Sequence, residues 1–341
     1  MTYQTTRIVL AERPVGEPTD ASFRVETTVL PEPSDGQVLL RTVYLSLDPY
    51  MRGRMSAAKS YAPPVPVGDT MVGGTVSQVV QSCCPELKVG MYVLSAAGWQ
   101  SHSIAEGSSV TVLNPADAPL STALGVRGMP GFTAYSGLLK IGRPQPGETV
   151  VVAAASGPVG SAVGQIAKIR GARAVGIAGG PRKCAYLLDE LGFDSAVDHR
   201  APDYAEKLRE AVPNGVDVYF ENVGGQVTSE VLPLMNRYGR IAVCGVVAHY
   251  NDTTRPKGVD RLPGFFGQLL VKSLTVRGFI QTEFADEMYA DFQRDMTEWL
   301  AQGRITYRED FVSGLENAPR AFAGLLRGAN FGKLIVRVAD E

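Results

Sequence analysis

The chain lacks any hydrophobic run of the length that a membrane-spanning helix needs, about 18 consecutive apolar residues. It also lacks an excess of either charge, since 33 Lys and Arg nearly balance 35 Asp and Glu to give a net charge of -2. A near-neutral chain has no electrostatic reason to bind nucleic acid or an anionic membrane as its main partner. The opening residues, MTYQTTRIVL, place no apolar segment behind a basic one, so no secretion signal is expected. These absences predict a soluble, cytoplasmic protein with neither nucleic acid nor membrane as a partner.

Cysteine and histidine are scarce, with four Cys and three His among 341 residues. Cys83 and Cys84 are adjacent, whereas Cys184 and Cys244 stand alone inside apolar runs, and no Cys-x-x-Cys pair occurs. Four cysteines in a chain this long do not make a disulfide framework, and a four-thiolate zinc site requires closely paired ligands. The sequence therefore predicts no structural metal, and isolated cysteines of this kind are usually small buried apolar side chains.

At roughly 150 residues per domain, a chain of 341 residues predicts about two domains, and the sequence changes character near residue 125. Up to about residue 120, segments rich in Val, Leu and Tyr alternate with Pro- and Gly-bearing turns, a pattern typical of a β-barrel or sandwich. From residue 149, buried strands alternate with amphipathic helices, which predicts a parallel, doubly wound sheet. The predicted strands are 149–154, 174–178, 216–221 and 239–244, and the predicted helices are 159–170, 182–191, 204–211, 226–234 and 285–302. A last strand at 333–338 is expected to return to the first domain and close its sheet.

A glycine-rich turn, ASGPVG at residues 155–160, follows the first of these later strands and opens a helix. It matches the pattern G-x-G-x-x-G with alanine in the first place. In such a turn Gly157 lets the backbone approach a pyrophosphate, Gly160 lets helix and strand pack closely, and the helix N-terminus attracts negative charge. Because the turn lies in a strand–helix–strand unit, it predicts dinucleotide binding.

The end of the second strand indicates which dinucleotide is favoured. An NAD site carries an Asp or Glu about 20 residues beyond the glycine turn, where it binds the ribose 2′-hydroxyl. The corresponding residues 177–183 read IAGGPRK and contain no acid. The two glycines leave room for a 2′-phosphate, and Lys183, with Arg182 beside it, supplies positive charge. The sequence therefore predicts NADP(H) rather than NAD(H).

Six longer motifs follow one another along the chain. They are LDPYMR at 47–52, GMPGFTAY at 128–135, AASGPVGSAVGQIAKIRG at 154–171, ENVGG at 221–225, GRIAVCGVVAHYN at 239–251 and NFGK at 330–333. Together they resemble the zinc-independent medium-chain dehydrogenase/reductases, and among these the prostaglandin/leukotriene, curcumin and alkenal double-bond reductases. The resemblance implies an α/β fold with a GroES-like β-rich catalytic domain, 1–127 completed by 303–341, and a Rossmann NADP-binding domain, 128–302. It also implies a homodimer that uses NADPH to reduce the carbon–carbon double bond of apolar α,β-unsaturated ketones or aldehydes.

The resemblance further implies which side chains contact the cofactor. Thr133 would lie beside the nicotinamide, Lys183 beside the 2′-phosphate, and His199 at the adenosine end, where the family often has tyrosine. The implied contacts are Thr133, Gly157, Pro158, Val159, Gly160, Lys183, His199, Asn222, Cys244, Gly245, Val246, Tyr250, Phe279 and Asn330. Zinc-dependent relatives carry a cysteine in the early loop and a His-Glu pair near residue 70. The stretches LDPY at 47–50 and GDTM at 68–71 carry neither, so no catalytic zinc is predicted.

Hydride addition to the β-carbon of an enone moves negative charge onto the carbonyl oxygen, so a hydrogen-bond donor is needed there and a proton at the α-carbon. Tyr250 is the first candidate, because it follows the carboxyl end of a predicted strand, where doubly wound sheets bind ligands. Its hydroxyl would either bind the nicotinamide ribose 2′-hydroxyl or donate to the enolate. Tyr50, on a loop of the other predicted domain, is the second. Residues 251–267 are predicted as a long loop in which Phe265 and Phe266 are candidate walls for the substrate. Two alternatives stay open, an NADPH quinone oxidoreductase and a non-catalytic NADP-binding protein, since a fold alone does not prove a function.

Overall fold

The computed structural model of the chain describes residues 3–253 and 260–341. They form two compact units. The first runs through Leu124 and resumes at Glu309–Glu341, and the second is Gly125–Arg308. Within the described residues, no helix is both long and apolar enough to cross a membrane.

Strands build the first unit and the central sheet of the second. Numbered along the described residues, they are β1 Tyr3–Leu10, β2 Phe23–Leu30, β3 Gln37–Ser46, β4 Thr75–Ser82, β5 Tyr92–Ser95, β6 His102–Glu106, β7 Thr111–Leu113, β8 Thr149–Val152, β9 Arg173–Ala178, β10 Ser195–Asp198, β11 Val216–Glu221, β12 Met235–Val243, β13 Thr275–Gly278, β14 Glu309–Ser313 and β15 Lys333–Arg337. The helices, numbered in the same way, are α1 Met51–Arg54, α2 Met129–Ser136, α3 Pro158–Ile169, α4 Pro181–Asp189, α5 Tyr204–Ala211, α6 Gly225–Val231, α7 Leu262–Lys272, α8 Ala285–Ala301 and α9 Ala318–Leu326. A wider helical turn, Gly137–Gly142, continues α2 directly.

The first unit is built around a seven-stranded sheet in the order β14-β15-β3-β4-β5-β7, with β6 paired to β3 as well. β1 and β2 form a separate antiparallel hairpin. Strand β15 runs antiparallel to β3 and parallel to β14, so the tail of the chain contributes to this sheet. Ile8, Leu45 and Trp99 are fully buried in the core of the unit. The β-rich character predicted for the first region is confirmed.

The second unit holds a six-stranded sheet in the order β10-β9-β8-β11-β12-β13, and every neighbouring pair is parallel. In this doubly wound order the winding direction reverses between β8 and β11. β8 is buried at every residue, as its run of Thr and Val predicts for a strand covered on both faces. The predicted α/β fold with a parallel sheet is confirmed. Because the strands are parallel, their carboxyl ends meet at one edge of the sheet, where such folds bind ligands.

Several elements differ from the sequence prediction, which does not include β10, β14, α2 or α9. The predicted loop 251–267 is wrong in its second half, because α7 begins at Leu262; residues 254–259 lie outside the described residues. Pro263 stands in the first turn of α7, where its missing N–H removes no helical hydrogen bond, so here it marks a helix start. Strand β13 is absent from the prediction, because its four residues are all exposed and no apolar alternation marks it.

Candidate active site

The turn between β8 and α3 carries the glycine motif. β8 ends at Val152, two residues before the predicted end, and Ala154 adopts the left-handed conformation with a φ of 51°. A Cβ on Gly160 would lie 2.5 Å from the Ala154 carbonyl oxygen, so only glycine fits there. A Cβ on Gly157 would meet only that same oxygen within 4 Å, at 3.3 Å. Gly160 is therefore required by packing, whereas Gly157 leaves an open face for a ligand.

The same turn is held between the two strands that flank β8. The Ala155 amide donates to the Ile177 carbonyl oxygen at 2.9 Å, and the Ala153 amide donates to the Phe220 carbonyl oxygen at 3.1 Å. Among the described residues, no side chain caps the start of α3, whose first residues are Pro158, Val159 and Gly160. An uncapped helix N-terminus leaves amide groups and the positive end of the helix dipole available to an anion such as a pyrophosphate.

Basic side chains lie at the ends of β9 and β10, on one side of the glycine turn. A Cβ on Gly179 would lie 2.9 Å from Nε of Arg200 and 3.0 Å from Nε2 of His199, so both side chains lie over this glycine. The pKa of His199 is lowered first by partial burial, then by the charge of Arg200, and also by Lys183 in the first turn of α4. Lys183 and His199 are predicted from the sequence, whereas Arg200 is not, since its only signal there is its position beside His199.

The ENVGG segment, residues 221–225, begins at the last residue of β11 and is organised by the buried carboxylate of that residue, Glu221. Glu221 accepts hydrogen bonds from the Tyr219 hydroxyl, the amides of Val223 and Gly224, and the Thr228 hydroxyl. The next residue, Asn222, donates from Nδ2 to the Ala153 carbonyl oxygen at 2.8 Å and so ties this segment to the glycine turn. Asn222 is predicted from the sequence as a cofactor contact, whereas the role of Glu221 in holding this segment is not.

A cavity of about 330 Å³ opens at the carboxyl ends of β12 and β13, at the other end of the same sheet edge. It is lined by Val243, Cys244, Gly245, Val246, Gly278, Phe279, Ile280 and Glu283. Cys244, Gly245, Val246 and Phe279 are all implied cofactor contacts, and the structure brings them together around one space. Burial first, and then the Glu221 charge, raise the pKa of the Cys244 thiol to about 12, so the thiol stays protonated at neutral pH and is a poor nucleophile.

Tyr250 lies close to this cavity, because its hydroxyl is 3.0 Å from the point that a Cβ would occupy on Gly245. The helical segment that continues α2 reaches the cavity wall as well, since a Cβ on Gly137 would lie 2.3 Å from Cζ of Phe279. Thr133 is one helical turn before Gly137 and shares its face of the helix. The structure thus places Tyr250 at the apolar end of the sheet edge, whereas the Thr133 hydroxyl donates to the Met129 carbonyl oxygen at 2.8 Å.

In the first unit, a buried ion pair joins the motifs that carry Tyr50 and Asn330. The Lys333 ammonium donates to the Leu47 carbonyl oxygen at 2.8 Å and to Oδ1 of Asp48 at 2.7 Å, and both charged side chains are almost fully buried. Tyr50 follows at the start of α1, where burial first and then the Asp48 charge raise its pKa, so its hydroxyl is protonated at neutral pH. The side-chain amide of Asn330 donates a hydrogen bond to the Gly332 carbonyl oxygen at 2.7 Å, within the NFGK turn.

Two family models match the chain. The model described as N-terminal domain of oxidoreductase matches residues 6–113, and the model described as zinc-binding dehydrogenase matches residues 158–302. In the part of the chain that the structure describes, no group of three or more His, Cys, Asp or Glu is placed to hold a metal ion.

Known proteins match nearly the whole chain. The NADPH-dependent curcumin reductase of Escherichia coli (strain K12) is 53% identical over 98% of this chain and 97% of its own length. Prostaglandin reductase 1 of Bos taurus is 42% identical over 95% of this chain and 96% of its own. The crystal structure of CurA from Vibrio vulnificus in complex with NADPH superposes with a TM-score of 0.96 at 53% identity, and covers 98% of this chain and 100% of that one. The chain therefore belongs to the zinc-independent medium-chain dehydrogenase/reductases, in the group that contains the curcumin and prostaglandin reductases.

Proposed function

We propose that this chain is an NADPH-dependent reductase of the carbon–carbon double bond in α,β-unsaturated ketones and aldehydes. The curcumin and prostaglandin reductases, at 53% and 42% identity, support the reaction class. The observation that carries the proposal is the order of four binding features along one edge of the parallel sheet.

In strand order, the basic group lies at β10 and β9, the glycine turn follows β8, Asn222 follows β11, and the apolar cavity lies at β12 and β13. Neighbouring strands are about 4.8 Å apart, so this edge is on the order of 24 Å long. An extended dinucleotide along it would have its 2′-phosphate at the basic end, its pyrophosphate at the glycine turn and its nicotinamide at the cavity. Charge and shape at each position suit the corresponding part of NADPH.

The basic end favours NADPH over NADH. Lys183 and Arg200 are cations, and partial burial together with their charges lowers the pKa of His199. Beside them, Gly180 leaves space, because no described atom lies within 4 Å of the point that a Cβ would occupy there. A 2′-phosphate dianion in this space would accept charge-assisted hydrogen bonds, which are about twice as strong as neutral ones. We therefore assign the cofactor contacts implied by the resemblance to NADPH and add Arg200 to them.

When bound, NADPH supplies the hydride that is added to the β-carbon of the substrate. The residues of this chain bind and orient the substrate and stabilise the negative charge that develops on its carbonyl oxygen. We assign Tyr250 as the hydrogen-bond donor to that oxygen, because its hydroxyl lies next to Gly245 in the cavity lining. Tyr50 is the second candidate, since burial raises its pKa and preserves its proton. The α-carbon receives its proton from one of these hydroxyls or from solvent.

NADPH consumption with an aliphatic enal, an enone and a quinone, measured in parallel, tests this function. We expect turnover of the enal and the enone to products with a saturated carbon–carbon bond and an intact carbonyl group. With NADPH deuterated at the nicotinamide C4 position, the label should appear at the β-carbon. Turnover of the quinone alone would identify a quinone oxidoreductase instead. Tight NADPH binding without turnover of any of the three would identify a non-catalytic NADP-binding protein.

We also propose that the chain acts in the cytoplasm as a homodimer. Helix α7 exposes large apolar side chains, with Leu270 at 81% and Val271 at 76% exposure, and also carries Phe265 and Phe266, the candidate substrate walls. Strand β13 follows α7, is exposed at all four residues and is the edge strand of its sheet. An apolar patch beside an open strand edge suits pairing with a second copy. Light scattering should give a dimer mass for the unmodified protein and a monomer mass for a Leu270→Glu, Val271→Lys variant; a monomer at all concentrations would contradict the proposal.

A further inference from the structure

The basic group at the ends of β9 and β10 contains one side chain whose charge changes near neutral pH. His199 directly follows β10, and its Nε2 lies 3.0 Å from the point that a Cβ would occupy on Gly179, which directly follows β9. Nε of Arg200 lies 2.9 Å from the same point. Nitrogen atoms of two side chains therefore converge over one glycine, in the place proposed for the 2′-phosphate.

We propose that His199 takes up a proton when NADPH binds, so that pH sets how strongly the protein prefers NADPH to NADH. The inference rests on the proposed function, because it requires the 2′-phosphate to lie in this basic group. In the balanced step, free protein with a neutral imidazole, NADPH and one proton give a complex that contains an imidazolium. A neutral imidazole offers the phosphate one N–H donor, whereas the imidazolium offers a full positive charge as well.

The charges around His199 favour its neutral form in the free protein. From its own segment it faces Asp198 and Arg200, and from α4 it faces Lys183. Partial burial, followed by the charges of Arg200 and Lys183, lowers the pKa of His199 against the opposing charge of Asp198. The Asp198 carboxylate also accepts the amide N–H groups of Gly180 at 2.8 Å and Arg200 at 2.9 Å, so part of its charge is balanced by backbone donors.

A bound phosphate dianion reverses this balance, because negative charge beside the ring stabilises the imidazolium. Between the lowered pKa of the free protein and the raised pKa of the complex, NADPH binding is accompanied by proton uptake. Affinity for NADPH therefore falls as the pH rises through that window. NADH has no 2′-phosphate and lacks this dependence. Lys183 and Arg200 supply the part of the preference that does not depend on the charge of His199.

Isothermal titration calorimetry of the full chain with NADPH and with NADH, from pH 6.5 to 8.5 in buffers of different ionisation enthalpy, measures affinity and proton uptake together. For the unmodified protein we expect net uptake with NADPH and a preference for NADPH that falls with pH, by at most about tenfold per unit for one proton. His199→Gln should lose this uptake and flatten the pH dependence of the NADPH affinity, because glutamine does not titrate in this range. His199→Tyr retains an aromatic ring that does not titrate in this range and should behave in the same way.

The 2′-phosphate itself titrates near pH 6, but equally with each protein, so the difference between the proteins isolates His199. Arg200→Gln is the matched control and should weaken NADPH binding at every pH without abolishing proton uptake. Equal proton uptake by unmodified and His199→Gln protein, or the same pH dependence with NADH, would overturn the inference and leave the phosphate site standing. The absence of any preference for NADPH at every pH would overturn the proposed phosphate site, and this inference with it.

Discussion

Each of the two units buries an acidic side chain shortly before a candidate functional residue, but the two acids are neutralised differently. In the first unit, Asp48 precedes Tyr50 by two residues and is paired with the Lys333 ammonium at 2.7 Å. In the second, Glu221 directly precedes Asn222, and within the described chain its carboxylate is bound by amides and hydroxyls. A buried ion pair fails as a whole when one partner is removed, whereas a carboxylate with several neutral donors loses one hydrogen bond at a time.

The two arrangements also differ in how far along the chain they reach. Asp48 and Lys333 are separated by 285 positions, so the turn that carries Tyr50 is held by the tail of the chain. The donors to Glu221 all lie within seven positions of it, so the ENVGG segment is organised by its own strand, turn and helix. The first turn therefore depends on the completed sheet of its unit, and the second is locally self-contained.

The largest effect that we predict is the loss of stability in Lys333→Met, which leaves Asp48 buried without its cation. Breaking a buried pair in this way costs about 3–5 kcal/mol. The chain has two tryptophans, Trp99 in the first unit and Trp299 in the second, so fluorescence can follow each unit separately. In a Trp299→Phe background, Lys333→Met should move the unfolding midpoint reported by Trp99 to a much lower urea concentration. In a Trp99→Phe background, Lys333→Met should move the midpoint reported by Trp299 far less.

The double variant Asp48→Asn, Lys333→Met is the control for this prediction. It removes both charges, so it should recover part of the lost stability, since replacing a whole buried pair is often nearly neutral. If Lys333→Met shifted the Trp99 transition by less than about 1 kcal/mol, the pair would behave like an exposed salt bridge, and the contrast between the units would disappear.

The next largest predicted effect is on turnover, and it concerns the two candidate tyrosines, Tyr50 in the first unit and Tyr250 in the second. Tyr250→Phe should lower kcat for an enone by roughly 10²–10³, because removing one donor to a developing oxyanion costs about 2.7–4 kcal/mol. Tyr50→Phe should lower kcat by less than about tenfold if Tyr250 is the donor. The measurement is steady-state turnover, with NADPH affinity as a check that the cofactor still binds. A loss below about threefold in Tyr250→Phe, which is under 1 kcal/mol, would remove Tyr250 from this role and move the assignment to Tyr50.

What sequence alone could predict follows the same division between local and distant contacts. The glycine turn at 155–160 and strand β8 are recognisable because each depends on residues adjacent in the chain, namely small residues for a tight turn and a continuous buried run. The absence of an acid in the residues before Lys183 can likewise be seen in the local sequence. Strand β13 is not predicted because none of its residues is buried, and α7 is not predicted because a proline such as Pro263 is also typical of loops.

The features that were missed depend on partners that no local pattern reveals. The Asp48–Lys333 pair exists only once β15 lies against β3, since Lys333 and Asp48 come from those two adjoining segments. Arg200 comes over Gly179 only when β10 pairs with β9. Glu221 is the exception, because its donors are nearby in sequence. The acid in the ENVGG motif, followed by two glycines, could have indicated a carboxylate that binds the amides of its own turn.

A smaller effect is predicted for Glu221→Gln, which keeps the shape of the side chain and removes its charge. The two amides that bind one oxygen can still donate to the glutamine carbonyl, while the hydroxyls of Tyr219 and Thr228 must turn to accept. We expect a loss of about 1–3 kcal/mol in the Trp299 transition and weaker NADPH binding through Asn222. Asn222→Ala should weaken NADPH binding with a smaller change in stability. A stability loss in Glu221→Gln as large as that in Lys333→Met would show that charge, rather than hydrogen bonding, secures both turns.

The smallest effect tests whether a third charge belongs to the pair in the first unit. Glu309 lies opposite Lys333 on the neighbouring strand, accepts a hydrogen bond from the Ser121 hydroxyl at 2.7 Å, and has within the described residues a buried Oε1 without a hydrogen-bond partner. Burial raises the pKa of Glu309, although Ser121 and Lys333 oppose the shift. The folded state therefore holds this proton more firmly than the unfolded chain, and its stabilising contribution is lost as the pH rises from that of an unfolded carboxyl, about 4.3, through the raised pKa. The Glu309→Gln variant cannot ionise at this position. Between pH 4.5 and 8, its free energy of unfolding, reported by Trp99, should therefore rise relative to that of the unmodified protein by on the order of 1 kcal/mol. Glu12 is an exposed acid of the same unit, and Glu12→Gln should show no such trend. If the difference in unfolding free energy between Glu309→Gln and the unmodified protein stayed constant across that range, Lys333 would keep Glu309 ionised. The first unit would then hold a cluster of three charges, in contrast to the single carboxylate of Glu221 in the second.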